Sequence, residues 1–155
     1  MRTDNNGFDP NYIPDNHENA KEVTISTINF DESINESQVG ITNIRKIGEC
    51  KIEVYANEGN IPHFHMYNSD RSFDSCICIY SPNYFSHGGK YRSTLSSSQC
   101  KLLDTILRSK NELNVSLWVQ IVILWESMNS QCKFPENRKV KTQPDYTKMV
   151  NFKDA

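Results

Sequence analysis

Two histidines separated by a single residue, His63 and His65, are the side chains of this 155-residue sequence best placed to do chemistry. Residues two apart on a β-strand project from the same face, so a strand here would hold both rings side by side. Imidazole acts as a general acid or base near neutral pH and as a ligand for zinc. The spacing therefore predicts a functional surface around these rings, without specifying a reaction.

Three short antiparallel strands are predicted to position the two histidines. Residues 50–56 alternate between apolar and polar side chains, which is typical of a half-buried strand. Residues 57–60 supply turn-forming Asn and Gly, and Pro62 favours an extended start to the second strand. A second turn at 68–71 leads into the β-prone residues 75–80.

The hydrophobic pattern also predicts the register of these strands. Ile52 opposite Met66, Val54 opposite Phe64, and Phe64 opposite Ile77 gather apolar side chains on one face. A slip of one residue would mix the two faces, so this register is the favoured one.

The opposite face then carries polar and sulfur-containing side chains, namely Glu53, Tyr55, His63, His65, Cys76 and Cys78. In this register Glu53, His65 and Cys76 form one cross-strand row, with opposed Cβ atoms about 5 Å apart. Tyr55, His63 and Cys78 form the next row.

A zinc site is one function that suits this face. Its candidate ligands are His63, His65, Cys76 and Cys78, because imidazole and thiolate are the ligands that zinc prefers. Four ligands on one flat sheet do not readily enclose a tetrahedral ion, however, and buried cysteines also serve as small apolar residues.

Acid–base catalysis is a second function, in which Glu53 orients His65 and either Tyr55 or His87 completes the set. A cysteine nucleophile in mid-strand would lack the oxyanion-stabilising turn that acyl transfer needs. A recognition surface is the third function, and it is the interpretation that we favour.

The segment after the third strand adds a second candidate binding region. Lys90 and Arg92 flank Tyr91, and two cations beside an aromatic ring favour the binding of an anion. The candidate binding residues are His63, His65, His87, Lys90, Tyr91 and Arg92.

Composition limits the class of protein. The net charge of −2 and mean hydropathy of −0.64 do not indicate a nucleic-acid partner. No apolar run approaches the ~20 residues that span a bilayer, and the first residues lack the apolar core of a signal peptide. Five cysteines, an odd number, favour reduced thiols. We therefore expect a cytoplasmic protein without a membrane partner and without a cofactor other than zinc.

The chain is predicted to form one domain at residues 21–129, preceded by a flexible arm at 1–20. Residues 130–155 are predicted to form an extended polar tail that pairs at a sheet edge or reaches a neighbouring subunit. Residues 21–29 alternate and contain β-branched side chains, so they suit an added edge strand.

Two helices are predicted after the strands. Residues 95–107 carry an apolar stripe at helical spacing, with Ser96 or Ser97 as the N-cap, and residues 116–128 are apolar almost all round. The predicted fold class is α+β, with a small antiparallel sheet of three to five strands. The two C-terminal helices are expected to pack on its Val54 face, between extended N- and C-terminal arms.

This arrangement resembles a family of small bacterial and phage domains of unknown function. The family is marked by a strand, a short acidic or Asn-containing turn, a Pro-His-Phe-His core and a further strand, followed by helices. The matching segments are 52–55, 57–61, 62–65 and 76–80, within a resemblance that spans roughly 44–128. Ile61 stands where the family usually has a second proline. The resemblance implies a compact α+β fold and, for some members, a place in toxin–antitoxin-type gene pairs, but it brings no catalytic residues.

We therefore predict a small accessory protein of a phage or mobile element, located in the host cytoplasm or the phage particle. It is expected to bind a protein partner, or itself, through the histidine-bearing face. One alternative is a small His-dependent hydrolase or nuclease-like enzyme, with or without metal. The other is a structural component of a larger particle, in which both extensions become ordered.

Overall fold

The computed structural model describes residues 22–33, 46–86 and 90–154. The elements, in chain order, are β1 (Glu22–Asn29), α1 (Phe30–Ser33), β2 (Glu49–Tyr55), β3 (His63–Asn68), β4 (Asp74–Cys78), β5 (Asn83–Ser86), α2 (Ser97–Arg108), α3 (Leu117–Met128), a 3-10 helix (Glu136–Arg138) and β6 (Val150–Asp154). The predicted arm at 1–20 lies outside the described residues.

The strands form one sheet in the order β1-β2-β3-β4-β5-β6. Each neighbouring pair from β1 to β5 is antiparallel. Short connections join β2 to β3, β3 to β4 and β4 to β5, as antiparallel neighbours allow. Five antiparallel strands followed by two helices confirm the predicted α+β fold, with β1 as the added edge strand. The sixth strand, β6, lies in the predicted tail and pairs at the edge of the sheet, which is one of the two placements expected for that tail. Its parallel direction beside β5 was not predicted.

Both long helices begin at a serine cap. Ser96 accepts a hydrogen bond from the Gln99 backbone N–H at 3.3 Å, and the Gln99 side chain accepts one from the Ser96 backbone N–H, so the two form a capping box. Ser116 caps α3 by accepting from the Val119 N–H at 3.2 Å. Among the described residues, no helix combines the length and the apolar character needed to cross a bilayer.

The main core lies between these helices and one face of the sheet. It contains the predicted apolar set from β2, β3 and β4, including the fully buried Phe64 and Ile77. The two tryptophans of α3, Trp118 and Trp125, also belong to this core. Trp118 donates from Nε1 to the Ile79 carbonyl at 2.9 Å, which satisfies its polar atom in the apolar interior.

The segment after α3 continues to pack on this body, beyond the predicted domain end at residue 129. Tyr146 is fully buried and belongs to the main core. Its hydroxyl donates to the carbonyls of Cys78 at 2.6 Å and Ile79 at 2.9 Å, and its backbone N–H donates to Asp104 at 3.0 Å. These contacts join the tail both to the sheet and to α2, and they precede the strand that completes the sheet.

Candidate functional site

The three strands pair in the register that the sequence predicted. Ile52 lies opposite Met66, and Phe64 lies opposite Ile77, so their side chains meet the helices. On the other face, His65 lies between Glu53 and Cys76. The hydrophobic pattern fixed this register because any one-residue slip would have exposed the core side chains.

The two histidines lie beneath the surface of the face that carries them. His63 is 0% exposed and His65 is 3% exposed. The His63 ring lies 4.5 Å from the Phe85 ring and 5.2 Å from the Trp125 ring, measured between centroids. A partner that approached this face would therefore meet the residues around the histidines before the rings themselves.

Glu58 is the functional candidate that the sequence analysis missed. Its Oε1 lies 3.3 Å from His63 Nε2 and makes a shorter contact with His65 Nε2. The turn between β2 and β3 brings it there with a positive φ at Asn57 (57°) and at Gly59 (90°), residue types that tolerate this conformation. The available signal was an acidic residue in the turn directly before the Pro-His-Phe-His segment.

The same turn is held from the other side by Asn129, at the C-terminal end of α3. The Glu58 backbone N–H donates to Asn129 Oδ1 at 3.0 Å, while Asn129 Nδ2 donates to the Tyr55 carbonyl at 2.8 Å. Asn129 is itself buried. One amide side chain thus fixes the turn that carries the Glu58 carboxylate.

Charge and burial act in opposite directions on this cluster. Burial alone would raise the pKa of Glu58, but the hydrogen bonds and charges of His63 and His65 outweigh it and hold that pKa well below its usual range. Burial lowers the pKa of His63, although its contact with Glu58 opposes the shift. At neutral pH the Glu58 carboxylate is therefore ionised.

Glu53 does not orient His65, contrary to the prediction. Its carboxylate accepts hydrogen bonds from the hydroxyls of Thr24 at 2.9 Å, Tyr55 at 3.1 Å and Tyr67 at 2.8 Å. The buried carboxylate is thus satisfied by its neighbours on β1, β2 and β3, and Glu58 takes the predicted place beside the imidazole. Cross-strand pairing brought Glu53 near His65, but side-chain hydrogen bonding directed its oxygens elsewhere.

Tyr55 and Tyr91 enclose the His65 ring. The Tyr55 ring stacks on it with centroids 4.1 Å apart and an interplanar angle of 26°. Tyr91 meets it edge-on at 5.3 Å. Burial raises the pKa of Tyr55, and the Glu53 charge adds to the shift, so its hydroxyl stays protonated at neutral pH.

Cys76 contacts the ring of His65. Its Sγ lies 3.2 Å from His65 Nδ1. Burial raises the pKa of the Cys76 thiol, and the charges of Glu58 and Asp74 add to this, so the metal-free side chain is a thiol and not an activated thiolate. Candidate ligand atoms of His63, His65 and Cys76 all lie within 4.8 Å of one another.

Cys78, the fourth predicted ligand, lies opposite His63 on β4. It packs in a second, smaller apolar cluster with Cys76 and Phe85, against which Ile61 and Tyr91 also lie. All five cysteines carry free thiols, as predicted.

The predicted loop residues 90–92 divide into two groups. Tyr91 lies against the histidine cluster, whereas Lys90 and Arg92 are exposed. Arg92 donates from Nη1 to Ser86 Oγ at 3.2 Å. His87 lies outside the described residues, so its predicted role stays a prediction.

Arg71 also lies on the exposed part of this face, although the sequence analysis did not identify it as a binding residue. Its guanidinium carbon lies 3.8 Å from the centroid of the half-buried Tyr67 ring, and its Nη1 lies 3.2 Å from Asp74 Oδ2. Because half of the Arg71 side chain remains exposed, the ion pair contributes little to stability.

A cleft of about 250 Å³ opens beside the buried cluster. Its lining comes from the start of β3, the end of β4 and the tail, namely Ile61, Pro62, Cys78, Tyr80, Ser81, Phe134 and Arg138. Tyr80 and Phe134 stack with centroids 5.6 Å apart, so two aromatic rings form one wall.

The chain was also compared with known proteins. No family model, no curated protein and no solved structure matches it.

Proposed function

We propose that this chain is a small interaction module that binds a protein partner through the sheet face opposite the helices. The observation that carries the proposal is the contrast in how the two faces are covered. The described long helices pack on the Phe64 face, whereas the opposite face presents partly exposed aromatic and basic side chains. With the resemblance stated above, this suits an accessory protein of a phage or mobile element.

The composition of this face supports binding to a protein. Tyr55, Tyr67 and Tyr91 are partly exposed, and Arg71 is exposed beside them. Tyrosine and arginine are enriched among the residues that contribute most to binding energy at protein interfaces. The tyrosines are also held in place by their contacts with Glu53 and His65, so ordering them on binding costs little entropy.

The charge of the face favours an acidic partner surface. Lys51, Arg71, Lys90 and Arg92 are exposed. Arg71 shares its charge with Asp74, and the exposed Glu22 and Glu49 lie on the β1–β2 side of the same face, so the basic part of the face is the side of Arg71, Lys90 and Arg92. The neighbouring cleft adds an apolar recess with Arg138 in its lining. A partner that offers an apolar side chain among carboxylates would satisfy both features.

A photocrosslinking experiment tests this proposal. A photoreactive amino acid replaces Arg71 on the proposed face or, as a control, the exposed Lys101 on α2. In cells of the source organism, we expect crosslinked protein species from position 71 and not from position 101. A crosslinked dimer of this chain would identify self-association.

A charge reversal at a second position sharpens the same test. With the photoreactive amino acid kept at position 71, Lys51→Glu on the same face is expected to weaken recovery of the crosslinked partner at least about tenfold, because like charges across an interface repel. Lys101→Glu should leave recovery unchanged. Equal crosslinking from both positions, or none from either, would reject the proposed face.

A hydrolase or nuclease-like enzyme is the second candidate, and the contact of one carboxylate with two imidazoles favours it. Glu58 is 19% exposed, so solvent reaches this carboxylate. If the enzyme hypothesis is right, Glu58→Gln abolishes turnover of esters or nucleic acids in a substrate screen. The same variant should leave crosslinking from position 71 intact.

A further inference from the structure

We propose that Glu58, His63, His65 and Cys76 form a binding site for Zn²⁺. The two histidines project from β3, the cysteine lies opposite His65 on β4, and the glutamate comes from the turn between β2 and β3. This inference goes beyond the interaction role and does not depend on it.

The turn resolves the difficulty that a flat sheet poses for a tetrahedral ion. The His and Cys ligands share one sheet face, so by themselves they contact an ion only on the side that faces the sheet. Glu58 is not part of a strand, and its carboxylate reaches both imidazole Nε2 atoms from the turn. The four donors therefore come from a sheet face and from a segment folded against it, which is the arrangement that enclosure of an ion requires.

The spacing of the donor atoms suits zinc. With Zn–N bonds of about 2.0–2.1 Å and Zn–S bonds of about 2.3 Å, tetrahedral ligand atoms lie roughly 3.3–3.6 Å apart. His63 Nε2 lies 3.3 Å from Glu58 Oε1, and Cys76 Sγ lies 3.7 Å from His65 Nε2. Ligand atoms of His63, His65 and Cys76 all lie within 4.8 Å of one another, and Glu58 Oε1 contacts both histidines, so the four donors surround one small volume.

A backbone hydrogen bond selects the metal-binding form of His63. Its Nδ1 lies 2.7 Å from the Ile61 carbonyl oxygen, and a carbonyl can only accept, so Nδ1 carries the proton. In the neutral ring the lone pair is then on Nε2, the atom directed at Glu58. Histidines that bind metals typically donate their other ring N–H to a carbonyl or carboxylate in this way.

The surroundings of the donors favour a structural zinc site. His63 and Cys76 are fully buried and His65 nearly so, and the rings of Tyr55, Phe85 and Tyr91 pack around them. Asn129 fixes the backbone of Glu58. Two nitrogens, one sulfur and one oxygen favour Zn²⁺ over Mg²⁺ and Ca²⁺, which prefer oxygen alone. Bound zinc would fasten the turn to the sheet beneath the partly exposed tyrosines.

The test uses the untagged full-length chain, freed of metal with a chelator and titrated with Zn²⁺ or with Co²⁺ as a spectroscopic substitute. We expect one equivalent of Zn²⁺ to bind, and the Co²⁺ form to show a thiolate charge-transfer band. Cys76→Ser should abolish that band, and Glu58→Gln should weaken Zn²⁺ binding at least about tenfold. Cys78→Ser is the matched control from the same strand face and should retain both.

Circular dichroism establishes that each variant is folded. If Cys76→Ser does not fold, Glu58→Gln carries the test, because its partly exposed side chain keeps nearly the same shape. A folded wild-type chain that binds no stoichiometric Zn²⁺ would overturn the proposal. Zn²⁺ binding that is unchanged in Glu58→Gln, or a thiolate band lost in Cys78→Ser but kept in Cys76→Ser, would also overturn it.

Discussion

The two faces of the central sheet are built from alternate residues of the same three strands, yet they are stabilised in different ways. On one face, Ile52, Phe64 and Ile77 are buried by helices α2 and α3. On the other, His63 and Glu53 are buried as well, although they are polar. Burial alone therefore does not distinguish the faces.

The difference lies in what replaces water at each face. The helix-covered face gains stability by removing apolar area from water, at about 25 cal/mol per Å². The opposite face must instead provide a hydrogen-bond partner for each polar atom that it buries, because an unsatisfied one costs about 1–3 kcal/mol. Glu53 accepts from three hydroxyls, and Glu58 contacts both histidines. The stability of such a face depends on the protonation of its buried groups and therefore on pH. This property suits a functional surface.

The largest expected effect comes from the apolar face. Phe64→Ala removes a fully buried ring from the main core and should lower the free energy of unfolding by about 3–5 kcal/mol. Tyr91→Ala, on the partly exposed opposite face, should cost clearly less. Denaturant unfolding of both variants measures this, and equal losses would contradict the proposed division between the faces.

The opposite face should respond to pH in a way that the apolar face cannot. Burial lowers the pKa of His63 below its usual value of 6.5. As the pH falls, this histidine is therefore protonated in the unfolded chain at a higher pH than in the native chain. Stability is then full above pH 6.5 and falls as the pH drops below it, by up to about 1.4 kcal/mol per pH unit. Denaturant unfolding of chelator-treated protein between pH 7 and 5 measures the slope. His63→Gln should flatten it, while Phe64→Ala should keep it.

Two tyrosine hydroxyls give the smallest and most closely matched comparison. Tyr146→Phe removes a donor to two backbone carbonyls in the main core, where no water can replace it, and should cost about 1–3 kcal/mol. Tyr67→Phe removes one of three donors to Glu53 from a partly exposed ring, so water compensates and the cost should be about 1 kcal/mol or less. Thermal and denaturant unfolding rank the two variants, and the reverse order would show that the polar face contributes more to stability than its exposure suggests.

Much of the fold could be predicted from local patterns. Alternation in residues 50–56 and the apolar positions of the next two strands gave the register of β2, β3 and β4. The predicted Ser96 cap of α2 and the apolar residues of both segments gave both helices to within two residues at either end. These features depend on neighbours in sequence or on strands joined by short turns, so few alternatives compete with them.

The site was predicted less completely. The alternation of side chains along paired strands placed His63, His65 and Cys76 together on one face. The same alternation indicated Glu53, and not Glu58, as the carboxylate beside His65. Alternation specifies which face a strand residue occupies. It says nothing about a turn residue, whose direction depends on backbone angles at positions such as Asn57 and on the anchor provided by Asn129.

By itself, the sequence determined which side chains share a face, because a β-strand alternates with period two and the apolar set must be buried together. Only the tertiary structure decided that the turn folds Glu58 onto the histidines and that Tyr146 fills the core. It also decided that β6 closes the sheet in parallel beside β5. Two physical reasons apply. Glu58 lies only five and seven residues before the histidines, but the direction of its side chain depends on the backbone angles of the turn and on Asn129, 71 residues away. The contacts of Tyr146 and β6 join segments far apart in the chain, whose meeting depends on the packing of the whole domain.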